Sequence, residues 1–196
     1  MISVAAVVRA TGRNWEEWES RIAGAEQGVW SHREIAAWLK TECGLDAWWA
    51  QTIAVDYEQR RGRREVGQAA ATGYQIGVRK TFPLSPAALW RLLVSPEGIK
   101  AWLGETAGFT PEPGGVYTTA EGVSGEIRVF KTGSHLRLTW RPPGWERAST
   151  LQVRVVPTEA GKAVLSFHQE HLPGREAREK MRRHWQTAAD GLLELV

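Results

Sequence analysis

Cysteine is almost missing from this sequence: Cys43 is the single one among 196 residues. One thiol makes no internal disulfide and supplies no Cys-based zinc cluster. Long apolar runs are lacking too. A membrane-spanning helix needs about 20 apolar residues in succession, and the longest N-terminal candidate, residues 2–8, falls far short. That stretch has neither the basic start nor the small-residue cleavage site of a secretory signal, so the expected compartment is the cytoplasm. The net charge, +3, is too small to demand a nucleic-acid partner. Phosphate-cradling loops, dinucleotide fingerprints and the Gly-x-Ser-x-Gly elbow are all absent, so no cofactor is expected. Phenylalanine and tyrosine are sparse, at 4 and 3, whereas tryptophan reaches 11.

Charge divides the chain. Residues 1–72 carry a net −1 and residues 73–196 a net +4. Residues 63–73 are polar, glycine-punctuated and aperiodic, which reads as a linker. It would join a small helical bundle over 1–62 to a second domain over 74–196. In the bundle, Ser3 caps a short helix with Val4, Val7 and Val8 on one face. Asn14 with Glu17, and Ser31 with Glu34, have the spacing of the reciprocal capping box. Trp15, Trp18 and Ile22 form one apolar stripe, and Ile35, Trp38 and Leu39 the next. Gly44 sits where a left-handed helix stop belongs. Asp46 caps a third long helix bearing Trp48, Trp49, Ile53 and Tyr57.

The second half changes period. Residues 74–82 read as a strand, and Pro86 and Pro96 open two short helices after Ser85 and Ser95. Strands follow at 116–117 and 126–131. Leu136, Leu138 and Trp140 alternate with polar residues. Residues 150–156 and 162–170 flank a hairpin turn over 157–161. A long helix closes the chain, with Ala177, Met181, Trp185, Ala188, Leu192 and Leu195 in one stripe. The expected fold class is therefore α+β. A curved antiparallel sheet buries the stripe of the last helix, and the space between them is a usual place for an apolar ligand.

Several constellations invite chemistry. His168 and His171 are three apart on a strand and point to opposite faces, so they read as a polar strand end and not as a metal pair. Cys43 lies at a helix C-terminus beside Glu42, and both disfavour a thiolate. Glu126 shares a strand face with Arg128. Turned inward, its carboxyl would have a raised pKa and serve as acid or base; turned outward, both are surface charges. His32 and His135 read as solvated, and His184 as pointing away from the helix stripe. Residues 31–61 have a helix–turn–helix outline, but Gly44 comes late and only Gln51 and Thr52 could reach base edges. Arg60, Arg61, Arg63 and Arg64 read as a solvated cluster. Together these argue against nucleic acid.

The second half also carries ordered motifs: Phe82-x-x-x-Pro86-x-x-x-Trp90, Ser95-Pro96-Glu97-x-x-x-x-Trp102, Pro113-Gly114-Gly115-x-Tyr117, Gly125-Glu126 and Leu136-x-Leu138-Thr139-Trp140. With Phe167 to Leu172, Trp185 and Leu192-Leu193, they resemble the SRPBCC superfamily, also called START-like or Bet v 1-like. Within it they resemble the branch of the activator of heat-shock protein 90 ATPase. The first half, through Thr11-Gly12-Arg13-x-Trp15-x-x-Trp18 and Trp48-Trp49-Ala50-Gln51, resembles a small helical family of unknown function.

The SRPBCC resemblance implies a helix-grip fold with a deep apolar cavity. It places Trp102, Tyr117, Glu126, Trp140, Phe167, Met181 and Trp185 as candidate cavity residues for a hydrophobic or aromatic small molecule. The apolar six read equally well as plain core. Two further readings stay open: a cyclase- or hydrolase-type enzyme using Glu126 or His168, and a module that binds a chaperone or another protein partner.

Overall fold

A computed structural model of the protein describes residues 2–65, 68–69, 73–158 and 161–196. Val66, Gly67, Ala70, Ala71 and Thr72 of the expected linker lie outside the described residues, as do Glu159 and Ala160 of the expected turn. The chain divides into two compact units, Met1–Val66 and Gly67–Val196.

Among the described residues the first unit has four helices: α1 (Val4–Thr11), α2 (Trp15–Ala25), α3 (His32–Thr41) and α4 (Ala47–Arg60). Each starts where a side-chain oxygen satisfies orphan backbone N–H groups. Ser3 and Asp46 cap α1 and α4, and Asn14–Glu17 and Ser31–Glu34 close full capping boxes on α2 and α3. Gly44, in the left-handed region at φ 68°, lets the Leu45 N–H return to the Leu39 carbonyl and end α3. Val7, Trp15, Trp18, Ile22, Ile35, Leu39, Ile53 and Tyr57 meet in the core.

Three expectations are corrected here. Only Val7 of the α1 valines is buried, because a helix of 8 residues turns one row inward and leaves Val4 and Val8 in solvent. Trp48 is exposed and meets Trp49 edge-on at 4.7 Å. His32 is not simply solvated: its Nδ1 lies 2.9 Å from Glu58 and its Nε2 2.7 Å from Gln51, which ties α3 to α4.

The arginine cluster is likewise neutralised inside the bundle. Arg60 meets Asp56 and Glu16, Arg61 meets Glu19, Arg63 meets Glu26, and Arg64 meets Glu58. Glu26 is the centre of this network. Its carboxylate accepts from Arg63 at 2.6 and 3.1 Å, from the Tyr57 hydroxyl at 2.7 Å and from the Trp30 N–H at 2.8 Å.

The second unit runs β1 (Gln68–Ala69), β2 (Gly73–Phe82), α5 (Pro86–Val94), α6 (Pro96–Trp102), β3 (Thr106–Ala107), β4 (Val116–Thr119), β5 (Ser124–Lys131), β6 (His135–Trp140), β7 (Ser149–Pro157), β8 (Ala163–Leu172) and α7 (Arg175–Leu193). The eight strands form one antiparallel sheet in the order β1-β2-β8-β7-β6-β5-β4-β3. It curves around α7, which is the helix-grip fold. Leu136, Leu138 and Trp140 on β6 and Leu151, Val153 and Val155 on β7 turn inward by simple alternation. Against them α7 lays Met181, Trp185, Ala188 and Leu192. No helix among the described residues is long and apolar enough to cross a membrane.

The Arg63 guanidinium beside Glu26, helped by Tyr57 and the Trp30 N–H, outweighs burial and lowers the carboxyl to about 2 from 4.5. A depressed folded-state pKa stabilises above the unfolded value and is lost as pH falls through the folded one. The bundle is therefore expected to lose this contribution between about pH 4.5 and 2. Glu26→Gln should destabilise it by about 1.5–3 kcal/mol at neutral pH, read by amide hydrogen exchange in α2 and α4. The gap between variant and wild type should shrink as pH drops through that window; a gap independent of pH would refute the assignment.

Candidate functional site

The interior of the second unit is aromatic. The Phe167 and Trp185 rings stack with centroids 5.0 Å apart and planes 13° from parallel. Trp140 meets Trp185 edge-on at 4.9 Å, and Trp102 approaches Phe167 at 6.3 Å. Met181 belongs to the same buried cluster. Tyr117, on β4, lies at one side against Phe109 and sends its hydroxyl to the Thr139 carbonyl at 2.7 Å. Burial pushes that hydroxyl well above the ordinary phenol range. The approach depends on Gly125: a Cβ there would stand 2.0 Å from the Thr139 carbonyl oxygen and 2.4 Å from the Tyr117 hydroxyl.

Polar groups in this core are paired with care. The Trp102 indole N–H donates to the Leu93 carbonyl at 3.0 Å. The Trp185 N–H donates to Gln169 Oε1 at 2.6 Å, the Gln169 amide donates to Ser149 Oγ at 2.7 Å, and that hydroxyl donates to the Trp140 carbonyl at 2.9 Å. Gln169 and Ser149 are fully buried. Neither was singled out from sequence; a strand pattern that places Gln169 inward between Phe167 and His171 is the signal that was there.

Glu126 stands apart from the aromatic residues. It is one-third exposed (32%) and ion-paired with Arg128 at 2.9 Å. His168 is also partly exposed, 3.6 Å from Glu170. Neither lines a cleft among those described below. No group of three or more His, Cys, Asp or Glu side chains among the described residues is placed to hold a metal.

A cleft of about 320 Å³ opens at the end of the sheet between α6 and α7. Its apolar walls are Ala101, Trp102, Leu103, Val123 and Trp140, with His184 beside them and Lys100, Glu105 and Glu121 bringing charge. A larger groove, about 560 Å³, follows β2 and α7, but Arg79, Lys80, Arg182 and Asp190 line it and Lys80 is bound to Asp190 at 2.6 Å. Such walls suit water and counter-ions better than an apolar guest.

His184 corrects the sequence reading. It lies three residues after Met181, hence on the same helix face, and its ring packs 5.4 Å from Trp140 and 4.5 Å from Trp185. Burial lowers its pKa, so the imidazole is neutral near pH 7. Trp140 Nε1 and His184 Nε2 are both buried without a hydrogen-bond partner among the described residues.

Gln169→Leu should cost about 2–4 kcal/mol, because it orphans the Trp185 N–H and breaks the chain to Ser149. Chemical denaturation of the full chain checks this; a loss under about 0.5 kcal/mol, the scale of an ordinary surface change, would show that the buried chain contributes little.

The relatives fit this geometry. No curated protein matches the chain. A Mesorhizobium loti protein of known structure is 24% identical, with TM-score 0.53 over 62% of this chain and 95% of its own. CalU16 from Micromonospora echinospora is 21% identical, with TM-score 0.55 over 65% of this chain and 78% of its own. A Plasmodium falciparum protein described as an HSP90 activator is 15% identical, with TM-score 0.54 over 63% of this chain and 95% of its own. These likenesses establish the fold. The family model for the activator of Hsp90 ATPase homolog 1-like proteins matches residues 83–196, more than half of the chain, and the protein belongs to that family.

Proposed function

We propose that the helix-grip unit binds a hydrophobic or aromatic small molecule, and that the guest sits in the cleft between α6, the end of the sheet and α7. The observation that carries this reading is the wall itself: Trp102, Leu103, Val123 and Trp140 beside two buried nitrogens without partners. A mostly apolar concavity with a few convergent polar groups is the ordinary form of a small-molecule site. The volume, about 320 Å³, admits a guest of one or two fused rings.

Of the six apolar residues expected to face a deep central cavity, four belong to the buried cluster behind the cleft wall. Phe167, Met181 and Trp185 lie in the core, with Tyr117 at its side. Of that set, Trp102 and Trp140 line the cleft. An acid–base role for Glu126 or His168 has no support from their partly exposed positions beside Arg128 and Glu170.

A panel of naphthalenes, flavonoids, steroids and fatty acids offered to the purified chain tests the reading. A fitting guest should quench tryptophan fluorescence and raise the melting temperature by several degrees. Ala101→Trp, which fills the cleft from a half-buried helix position, should weaken that guest at least tenfold while the melting temperature of the free protein stays near wild type. No quenching and no thermal shift across the panel would sink the proposal. The family description supports a second reading, contact with an Hsp90-type chaperone. Its mark would be faster phosphate release by the chaperone on adding the protein, unaffected by Ala101→Trp.

A further inference from the structure

The indole nitrogens of the second unit's core are not treated alike. Trp102 and Trp185 each donate to a named protein oxygen, at 3.0 and 2.6 Å. Trp140, equally buried, does not. A buried N–H left unmatched costs about 1–3 kcal/mol, so the exception calls for a physical account. It coincides with a second orphan, His184 Nε2, on a ring 5.4 Å from Trp140. Both side chains line the same cleft.

The chemistry of the two groups narrows what would satisfy them. An indole N–H only donates, so it requires an acceptor. A neutral imidazole nitrogen donates in one tautomer and accepts in the other. A carbonyl oxygen would serve the indole and one tautomer only. A hydroxyl oxygen accepts from the indole and either donates to or accepts from Nε2, so it serves both. The two rings stand 5.4 Å apart at their centroids, and a single hydroxyl has the donor and acceptors to bond both nitrogens.

We infer that the guest of this cleft carries a hydroxyl group, held at the inner end between Trp140 Nε1 and His184 Nε2. The inference rests on the small-molecule reading of the cleft given above. Neither nitrogen is open to solvent, so the hydroxyl enters as the His184 ring turns aside. His184 is the half-buried member of the pair, while Trp140 is fixed in the core. The apolar part of the guest then lies against Trp102, Leu103 and Val123.

Calorimetric titration of the full chain with 2-naphthol, 2-methoxynaphthalene and naphthalene separates the outcomes. Naphthalene is the most apolar of the three, so burial alone would favour it. The expected order is reversed: 2-naphthol binds about tenfold tighter than naphthalene, with 2-methoxynaphthalene between them. Trp140→Phe and His184→Phe should each lower the ratio of 2-naphthol to naphthalene affinity at least fivefold. His184→Phe carries the test if Trp140→Phe fails to fold, since His184 is less enclosed. Equal binding of naphthol and naphthalene in the wild type would overturn the inference while leaving the cleft as a binding site. It would mean that water or the neighbouring ring faces satisfy the two nitrogens. Failure of all three probes to bind would count against the cleft as an aromatic site, and the hydroxyl inference would fall with it.

Discussion

The buried N–H of Trp185 fixes how the long helix sits on the sheet. Apolar contact alone allows α7 to slide or roll, because dispersion and hydrophobic burial are weakly directional. A hydrogen bond in a dry core is not. The Trp185 indole must meet an acceptor, and Gln169 of β8 supplies it at 2.6 Å. Gln169 in turn needs somewhere to place its own amide hydrogens, and Ser149 of β7 accepts at 2.7 Å. Ser149 then bonds the Trp140 carbonyl, directly across from it in the β6–β7 register. One chain of three bonds therefore clamps the helix to three adjacent strands. The Phe167–Trp185 stack falls into place only with the helix at this height.

The bundle obeys a different rule. A unit of about sixty residues buries a limited fraction of its surface, and this one supplements a tryptophan-rich core with ion pairs. Each arginine of the 60–64 cluster finds carboxylates on other turns or other helices. The decisive pair, Arg63 with Glu26, joins residues 37 apart and shares its carboxylate with Tyr57. The cluster is consequently not a free electropositive patch, and its arginines are committed to holding the end of α4 against α2.

Local chemistry made much of the fold legible before any coordinates. The caps at Ser3, Asn14, Ser31, Asp46, Ser85 and Ser95 each depend on one side chain and the next three residues, so the sequence displays them directly. Inward alternation along β6 was equally plain. The candidate site was legible only in part. Trp102, Tyr117, Trp140, Phe167, Met181 and Trp185 are all buried, but whether aromatic rings surround a void or fill it depends on interplanar angles that no spacing encodes. Reading His184 as a neighbour of Trp185 placed it off the stripe, whereas its spacing from Met181 puts it on the inner face. The partner of Arg63 was invisible for a simpler reason: an ion pair across 37 residues is a product of tertiary structure and leaves no periodic trace.

The buried aromatic cluster bears on how this unit can hold a guest. Where a ligand occupies the centre of a helix-grip fold, the residues that bind it are also those that keep the sheet and helix together. Here the Phe167–Trp185 stack and the Gln169–Ser149 chain lie in the buried interior between sheet and helix. The proposed guest lies at the edge, against α6 and one turn of α7. Ala101, Leu103, Val123 and His184 can then vary to suit the guest without touching the interactions that set the helix. Trp140 is the single point where the two demands meet. Its carbonyl anchors the buried chain through Ser149, while its indole N–H has no partner among the described residues and its side chain lines the cleft. Substitution there is felt by stability and recognition at once, which is why the less enclosed His184 is the position through which specificity can change with least structural cost.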